Sequence, residues 1–261
     1  MTREDKVTQL IAEIPGLSDY RLGIVLNMVQ VFSQPWEIMK APDSDVISDY
    51  GLMDFGDVLR IHHCFSREPF SKDKFEFALE AVLKASDVAA ELAPRGRRGY
   101  DIRITGLNVS LKTEAARAIR VDTLHISKFM ELGGGQWGDN PDDLVGLRQQ
   151  FLDNLAGIDR ILVLRALRKG EPDYLYELVE IPKGLLEKVS AGRFEMRTES
   201  SQFPKPGYCF VEKDGKLLFS LYFDGGGERK LQIKGLRKEL CKVHASWRFD
   251  FPQQNLIQEL A

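Results

Sequence analysis

The sequence predicts a mixed α/β fold: a central β-sheet flanked by helices, with a helical N-terminal part. Three observations carry this reading. Apolar residues recur at three- and four-residue spacing up to about residue 90. Beyond that point, several stretches alternate apolar and polar residues, which is the period of a strand. The chain has 261 residues, 43% of them hydrophobic, enough to bury one ordinary core. With no repeat, long linker or low-complexity tract, residues 1–261 read as a single domain: a helical part over 1–70 and a core over 71–250.

The elements follow in order. Lys6 to Ile14 and Tyr20 to Phe32 have helical spacing, are separated by Pro15-Gly16, and Ser18 is placed to cap the second. A helix from Ser71 to Ser86 has Ser71 as its cap and Phe75, Leu79, Val82 and Leu83 as its buried stripe. The run Pro94-Arg95-Gly96-Arg97-Arg98-Gly99 is a basic loop. Tyr100 to Thr105 and Leu107 to Lys112 then alternate as two strands joined at Gly106. A helix follows Asn140-Pro141-Asp142-Asp143 and ends near Gly157. Arg160 to Leu167 and Tyr174 to Ile181 form a second strand pair, and Pro182 opens a short helix. Gly207 to Glu212 and Leu217 to Phe223 are the clearest strands of the remainder.

Charge and cysteine content narrow the class. No stretch approaches the roughly 20 apolar residues that span a bilayer, and the charged start Met1-Thr2-Arg3-Glu4-Asp5 leads into no signal core. Cys64, Cys209 and Cys241 are odd in number and form no CxxC pair, which suits reduced thiols in a cytoplasmic protein. The net charge is −3, yet from Gly225 to Lys242 six basic residues face only Glu228 and Glu239. Arg95, Arg97, Arg98 and Arg103 form a second basic cluster. Such clusters suit a nucleic-acid-binding face, and equally a solvated surface.

Candidate chemistry sits in the stretch 100–114. Strand alternation puts Asp101, Arg103 and Thr105 on one face, and Asn108, Ser110 and Lys112 on the polar face of the returning strand. The turn at Gly106 brings Asp101 and Lys112 to the same open end, and Glu114 continues the stripe. An aspartate and a lysine on paired strands are what metal-assisted phosphodiester cleavage needs. The carboxylate holds a hard cation, and the lysine stabilises the attacking hydroxide or the charge developing on phosphorus. Glu76 and Glu80 share a face of the preceding helix and add carboxylates. An ordinary amphipathic hairpin also carries such residues, so spacing alone leaves both readings open. On either reading, removing Asp101 or Lys112 from a wet face is expected to open no core cavity.

These residues also resemble a known family. Asp101-Ile-Arg-Ile-Thr-Gly106 and Val109-Ser-Leu-Lys-Thr-Glu-Ala-Ala116 are similar to the PD-(D/E)xK nucleases, and more closely to the Sma-type restriction endonucleases. The resemblance continues through His125-Ile-Ser-Lys-Phe-Met-Glu-Leu-Gly133, Leu178-Val-Glu-Ile-Pro-Lys183 and Pro204-Lys-Pro-Gly-Tyr208. It extends over Phe219 to Gly226, Glu228 to Lys234 and Val243-His244. It implies a PD-(D/E)xK nuclease-like fold in which 71–250 is the catalytic and DNA-binding core. The implied protein is a bacterial, cytoplasmic homodimer that uses Mg²⁺ to cut both strands of DNA at a short GC-rich palindrome, with CCCGGG the candidate. Asp101 falls on the metal-binding aspartate and Lys112 on the motif lysine. Ser110 stands where Asp or Glu is more frequent, so Glu76 or Glu114 is expected to complete the metal site. The candidate catalytic set is Asp101, Ser110, Lys112 and Glu114; the metal set is Asp101, Glu76 and Glu114. The candidate DNA contacts are Arg97, Arg98, Arg103, Lys128, Arg229, Lys230 and Lys234. A repair- or junction-type nuclease of this fold, or a DNA-binding protein that has lost activity through Ser110, remain alternatives.

Other motifs read as structural. Adjacent His62 and His63 face apart, so one ion is poorly served by both. His125 and His244 are polar contacts. Gly133-Gly134-Gly135 lacks the context of a phosphate loop. Asp224 and Gln232-Ile-Lys234 imitate a second site but suit DNA contact, and Trp137 and Trp247 belong to the core.

Overall fold

Two sheets and six helices make up the computed structural model, which describes residues 1–94, 96, 99–116, 118–133, 137–170 and 173–250, with backbone only for 168–170. Arg97 and Arg98 lie outside the described residues. The N-terminal part contains α1 (Arg3–Glu13), α2 (Asp19–Ser33), β1 (Trp36–Lys40), α3 (Asp49–Phe65) and α4 (Lys72–Ala85). The hairpin region supplies β2 (Ala90–Leu92), β3 (Ile102–Ile104) and β4 (Leu107–Glu114). Next come β5 (Thr123–Glu131), α5 (Asp143–Ala156), β6 (Arg160–Gly170), β7 (Asp173–Glu180) and α6 (Lys183–Leu186). The last strands are β8 (Arg193–Met196), β9 (Gly207–Lys213), β10 (Lys216–Asp224), β11 (Lys230–Arg237) and β12 (Lys242–Asp250).

The larger sheet has seven strands in the order β1-β12-β7-β6-β4-β3-β2. Its single parallel pair is β4 with β6, so the sheet is mixed, as the sequence predicts. The other sheet has the order β5-β11-β10-β9-β8 and is antiparallel throughout.

Alternation along the strands builds two cores. Ile102, Val109, Leu111, Leu162 and Leu164 face α3 and α4, whose Phe55, Leu59, Phe75 and Leu79 complete the first cluster. The neighbouring residues Ile161, Val163 and Val179 point the other way. They join Leu147 and Phe151 of α5 and the apolar face of the second sheet in the second cluster. The large sheet is therefore covered on both faces. Helix α4 is fixed locally by its predicted cap, the Ser71 hydroxyl accepting from the Lys74 N–H. Its apolar stripe seats it against β4 and beside β2.

Strand β1, helix α3 and strand β5 are among the elements that went unrecognised in the sequence. Strand β1 interrupts the region read as helical and pairs with β12, Ile38 opposite Trp247. Helix α3 carries two glycines, which lower helix propensity. Gly56 nevertheless has to be glycine, because a Cβ there would lie 2.1 Å from the Trp36 ring and 2.6 Å from Trp247. Strand β5 pairs with β11 across about a hundred residues of chain, beyond the reach of local pattern.

Candidate active site

The turn between β3 and β4 sets the geometry. Thr105 and Gly106 both have positive φ, 47° and 89°, as a two-residue hairpin turn with this twist requires. The register pairs Ile102 with Val109 and Ile104 with Leu107. Asp101 lies just before β3. Its N–H donates to the Val109 carbonyl (3.0 Å), and its own carbonyl accepts from Ala93 N–H (2.9 Å). Its backbone is thus held from both sides.

The Asp101 carboxylate gathers four donors. Oδ2 accepts from the Leu111 N–H at 2.6 Å and the Ser110 hydroxyl at 3.1 Å, with Lys112 Nζ at 3.4 Å. Oδ1 takes Lys72 Nζ at 2.7 Å. Burial alone would raise the Asp101 pKa, but the ammonium groups of Lys112 and Lys72 override it and hold the carboxyl below its usual range. Lys112 Nζ also donates to Ser110 Oγ (2.7 Å) and the Leu111 carbonyl (3.3 Å), and stands 5.3 Å from the centre of the Phe129 ring. Burial pushes the lysine's pKa down, with Asp101 opposing and Lys72 adding to the fall. The structure thus brings Asp101, Ser110 and Lys112 together as the alternation predicts.

One expectation fails. Ser110, Lys112 and Glu114 do share a face, but it is not wet: they are 1%, 8% and 4% exposed. Strand β5 of the second sheet lies over them, contributing Phe129 and the His125 N–H. Removing the Lys112 side chain does therefore leave a void, contrary to the reading of an open hairpin.

Glu114 is taken up elsewhere. One oxygen accepts from His125 N–H at 2.8 Å and the other from Arg165 Nε at 2.6 Å. Arg165, opposite Glu114 in the β4–β6 register, is fully buried. It also binds Glu177 (3.1 Å) and the carbonyls of Arg120 (2.6 Å) and Thr123 (2.8 Å). Glu114 thus anchors the end of β4 to the start of β5, with both of its oxygens engaged there.

Glu76 lies on the side of the helix that reaches Asp101. Lys72, one turn earlier, places its ammonium 2.6 Å from Glu76 Oε1 and 2.7 Å from Asp101 Oδ1. Two carboxylate oxygens therefore already converge on one cationic centre, and they are the hard oxygen donors a magnesium ion takes. Among the described residues, no group of three or more His, Cys, Asp or Glu side chains is arranged to hold a metal. A hard ion here would rest on these two carboxylates. Glu80, one turn further along α4, instead accepts from the Leu92 N–H (3.2 Å) and pairs with Lys84, fastening β2. Sequence reasoning missed Lys72, although its four-residue offset from Glu76 was legible. It also missed Arg165, whose role depends on a register no local pattern specifies.

The candidate DNA contacts are dispersed. Arg103 is exposed and lies over the Tyr100 ring, bonded to Asn108. Lys128 pairs with Glu131, whose hydrogen bond raises its pKa. Lys230 pairs with Glu228 at 3.3 Å, and Arg229 sits in the β10–β11 turn with φ of 40°. Lys234 lies 3.8 Å from the Tyr222 ring centre, and burial lowers its pKa. Farther along the same basic run, Lys238 bonds Glu177 and Lys242 bonds Asp43. Ion pairs thus absorb much of the local charge excess counted from the sequence. Among the described residues, no helix is long and apolar enough to cross a membrane.

Fold and site together define a class: a mixed α/β protein with a part-buried aspartate–lysine pair on neighbouring strands. Comparison with known proteins makes this particular. Residues 10–249 match the family model of SmaI, described as type II site-specific deoxyribonuclease. The chain is 39% identical over 254 residues to the type II restriction enzyme SmaI of Serratia marcescens, covering 97% of this chain and 99% of that one. No solved structure matches. The chain belongs to the SmaI family of type II site-specific deoxyribonucleases and is a restriction endonuclease.

Proposed function

We propose that this restriction endonuclease is Mg²⁺-dependent and cuts both strands of DNA within a short GC-rich palindrome, CCCGGG, acting as a homodimer. The observation that carries the mechanism is the Asp101 carboxylate. It lies in reach of Lys112, Ser110 and Lys72, with Glu76 joined through Lys72.

Asp101 and Glu76 hold the cation. A bound Mg²⁺ supplies a Lewis acid for the scissile phosphate and lowers the pKa of the attacking water. Lys112 faces the charge that develops on phosphorus. Its buried ammonium is held in place by Ser110 and the Leu111 carbonyl, so no reorientation is needed during the reaction. Ser110 positions rather than ligates: its hydroxyl donates to Asp101 and accepts from Lys112. Arg103, Lys128, Arg229, Lys230 and Lys234 supply DNA contacts.

A palindrome is two-fold symmetric, and one chain holds one such centre; two copies would place a centre on each strand. Helices α1 and α2 support this reading, leaving Leu10, Ile11, Leu26 and Val29 about half exposed or more.

The test is digestion of supercoiled plasmids with and without CCCGGG, in Mg²⁺, Ca²⁺ and EDTA. Discrete double-strand cuts are expected only with the site and Mg²⁺. Full activity in EDTA would refute the metal reading, and cutting of both plasmids the assigned sequence.

A further inference from the structure

The acid–lysine centre is electrically closed before any divalent ion arrives: Asp101 and Glu76 are matched by Lys72 and Lys112. A metal that binds these carboxylates has to displace one ammonium. The two lysines differ in how readily they leave. Lys112 is held by Ser110, Asp101 and the Leu111 carbonyl, and its side chain is 9% exposed. The Lys72 side chain is 38% exposed, and its bridge to Asp101 and Glu76 is made by the end of a flexible stem.

Helix electrostatics give an independent reason to single out Lys72. It is the first residue of α4, directly after the Ser71 cap. The N-terminus of a helix carries partial positive charge and disfavours a cation. A lysine there works against its own helix, and the two carboxylates offset that cost.

Resting on the reading of Asp101 and Glu76 as metal ligands, we propose that Lys72 is a resident counter-ion. Its ammonium occupies the cation position of the metal-free enzyme, keeps the two carboxylates together, and competes with the divalent ion for them. Lys72 is thus a positioning residue that sets metal affinity. Its removal should tighten metal binding, by both vacating the position and deleting a repelling charge.

The experiment uses Mn²⁺ as an electron-paramagnetic probe on the full chain without DNA. Lys72→Met and Lys72→Gln are compared with the wild type and with Asp101→Asn, with circular dichroism to confirm folding. Both Lys72 variants should bind Mn²⁺ on the order of ten- to a hundredfold more tightly, the range expected when charge-assisted hydrogen bonds no longer compete. Adding Asp101→Asn to Lys72→Met should remove that gain. Equal binding by the wild type and both Lys72 variants, whether measurable or nil, overturns the counter-ion role. If it is equal but Asp101→Asn still abolishes it, the metal site stands and only this role falls. If Asp101→Asn binds as the wild type does, the metal reading itself falls, and the counter-ion with it.

Discussion

Replacing Lys112 with methionine separates chemistry from folding. Methionine keeps most of the stem's length and volume and deletes only the charge. The ammonium's hydrogen bonds to Ser110 (2.7 Å) and Asp101 (3.4 Å) disappear. The Asp101 carboxylate is not orphaned, because the Leu111 N–H at 2.6 Å and Lys72 at 2.7 Å remain. Burial already works against this ammonium, so relief of that penalty offsets the missing hydrogen bonds. Net destabilisation should stay near ~1 kcal/mol, a fall in Tm of about 2–4 °C for a chain of this size. Lys112→Ala would add a cavity worth roughly 1–3 kcal/mol and confuse the two effects. In the reaction, removal of one preorganised charge costs on the order of 10²–10³ in rate. The assay is single-turnover cleavage of a CCCGGG duplex with enzyme in excess, beside a gel shift in Ca²⁺. Lys112→Met should bind DNA normally and cut at least a hundredfold more slowly. Cutting within threefold of the wild type would refute the assignment of this centre as the active site.

Ser110→Ala should slow cleavage by about tenfold, less than Lys112→Met, because the hydroxyl orients two partners but carries no charge; equal damage in the same assay would give serine a direct role. Arg165→Met strips a buried cation from Glu114, Glu177 and three carbonyls, so chemical denaturation should register a loss of ~3–5 kcal/mol, and a loss under 1 would show that the cluster holds little together. Arg229→Ala with Lys230→Ala should flatten the log–log salt dependence of DNA binding by about 0.9 for each phosphate no longer neutralised, whereas an unchanged slope assigns the pair to a solvated turn. Glu180 tests acid stability: burial would raise its pKa, but hydrogen bonds from His244 and Arg160 win and bring it from 4.5 to about 2. Its contribution is then fully present above pH 4.5 and lost as pH falls toward 2, so Glu180→Gln should cost ~1–2 kcal/mol near neutrality, a deficit that shrinks to nothing across that acid window. A pH-independent deficit in the unfolding free energy would contradict this.

What the sequence made legible was what local period and local chemistry determine. Helices α1, α2 and α4, the β3–β4 hairpin and the strand pair β6–β7 all follow from spacing, and Ser18 and Ser71 cap as expected. The shared face of Asp101, Ser110 and Lys112 follows from the two-residue period of a strand. What escaped depends on distant chain. The covering of β4 by β5 turned a face read as open into a buried one, and nothing in the stretch 107–114 announces that cover. Glu114 obeyed the alternation, but its pairing with Arg165 was not legible, because that partner arrives through a parallel register.

Ser110 was the reason to doubt activity, since a hydroxyl is a weak ligand where carboxylates are more frequent. Its surroundings argue the other way. The hydroxyl donates to Asp101 and accepts from Lys112 at the same time. An ionised carboxylate at this position has no proton to give Asp101 and would repel it across about the same distance. At 1% exposure that repulsion would be weakly screened, and Lys112 would face two acids in place of one. The serine therefore suits a centre whose second carboxylate comes from α4 through Glu76. On the proposed reading the missing acid of the strand and the acid of the helix are two halves of one arrangement, and a centre that had merely decayed would have no reason to keep Lys112 buried, bonded and aimed at Asp101.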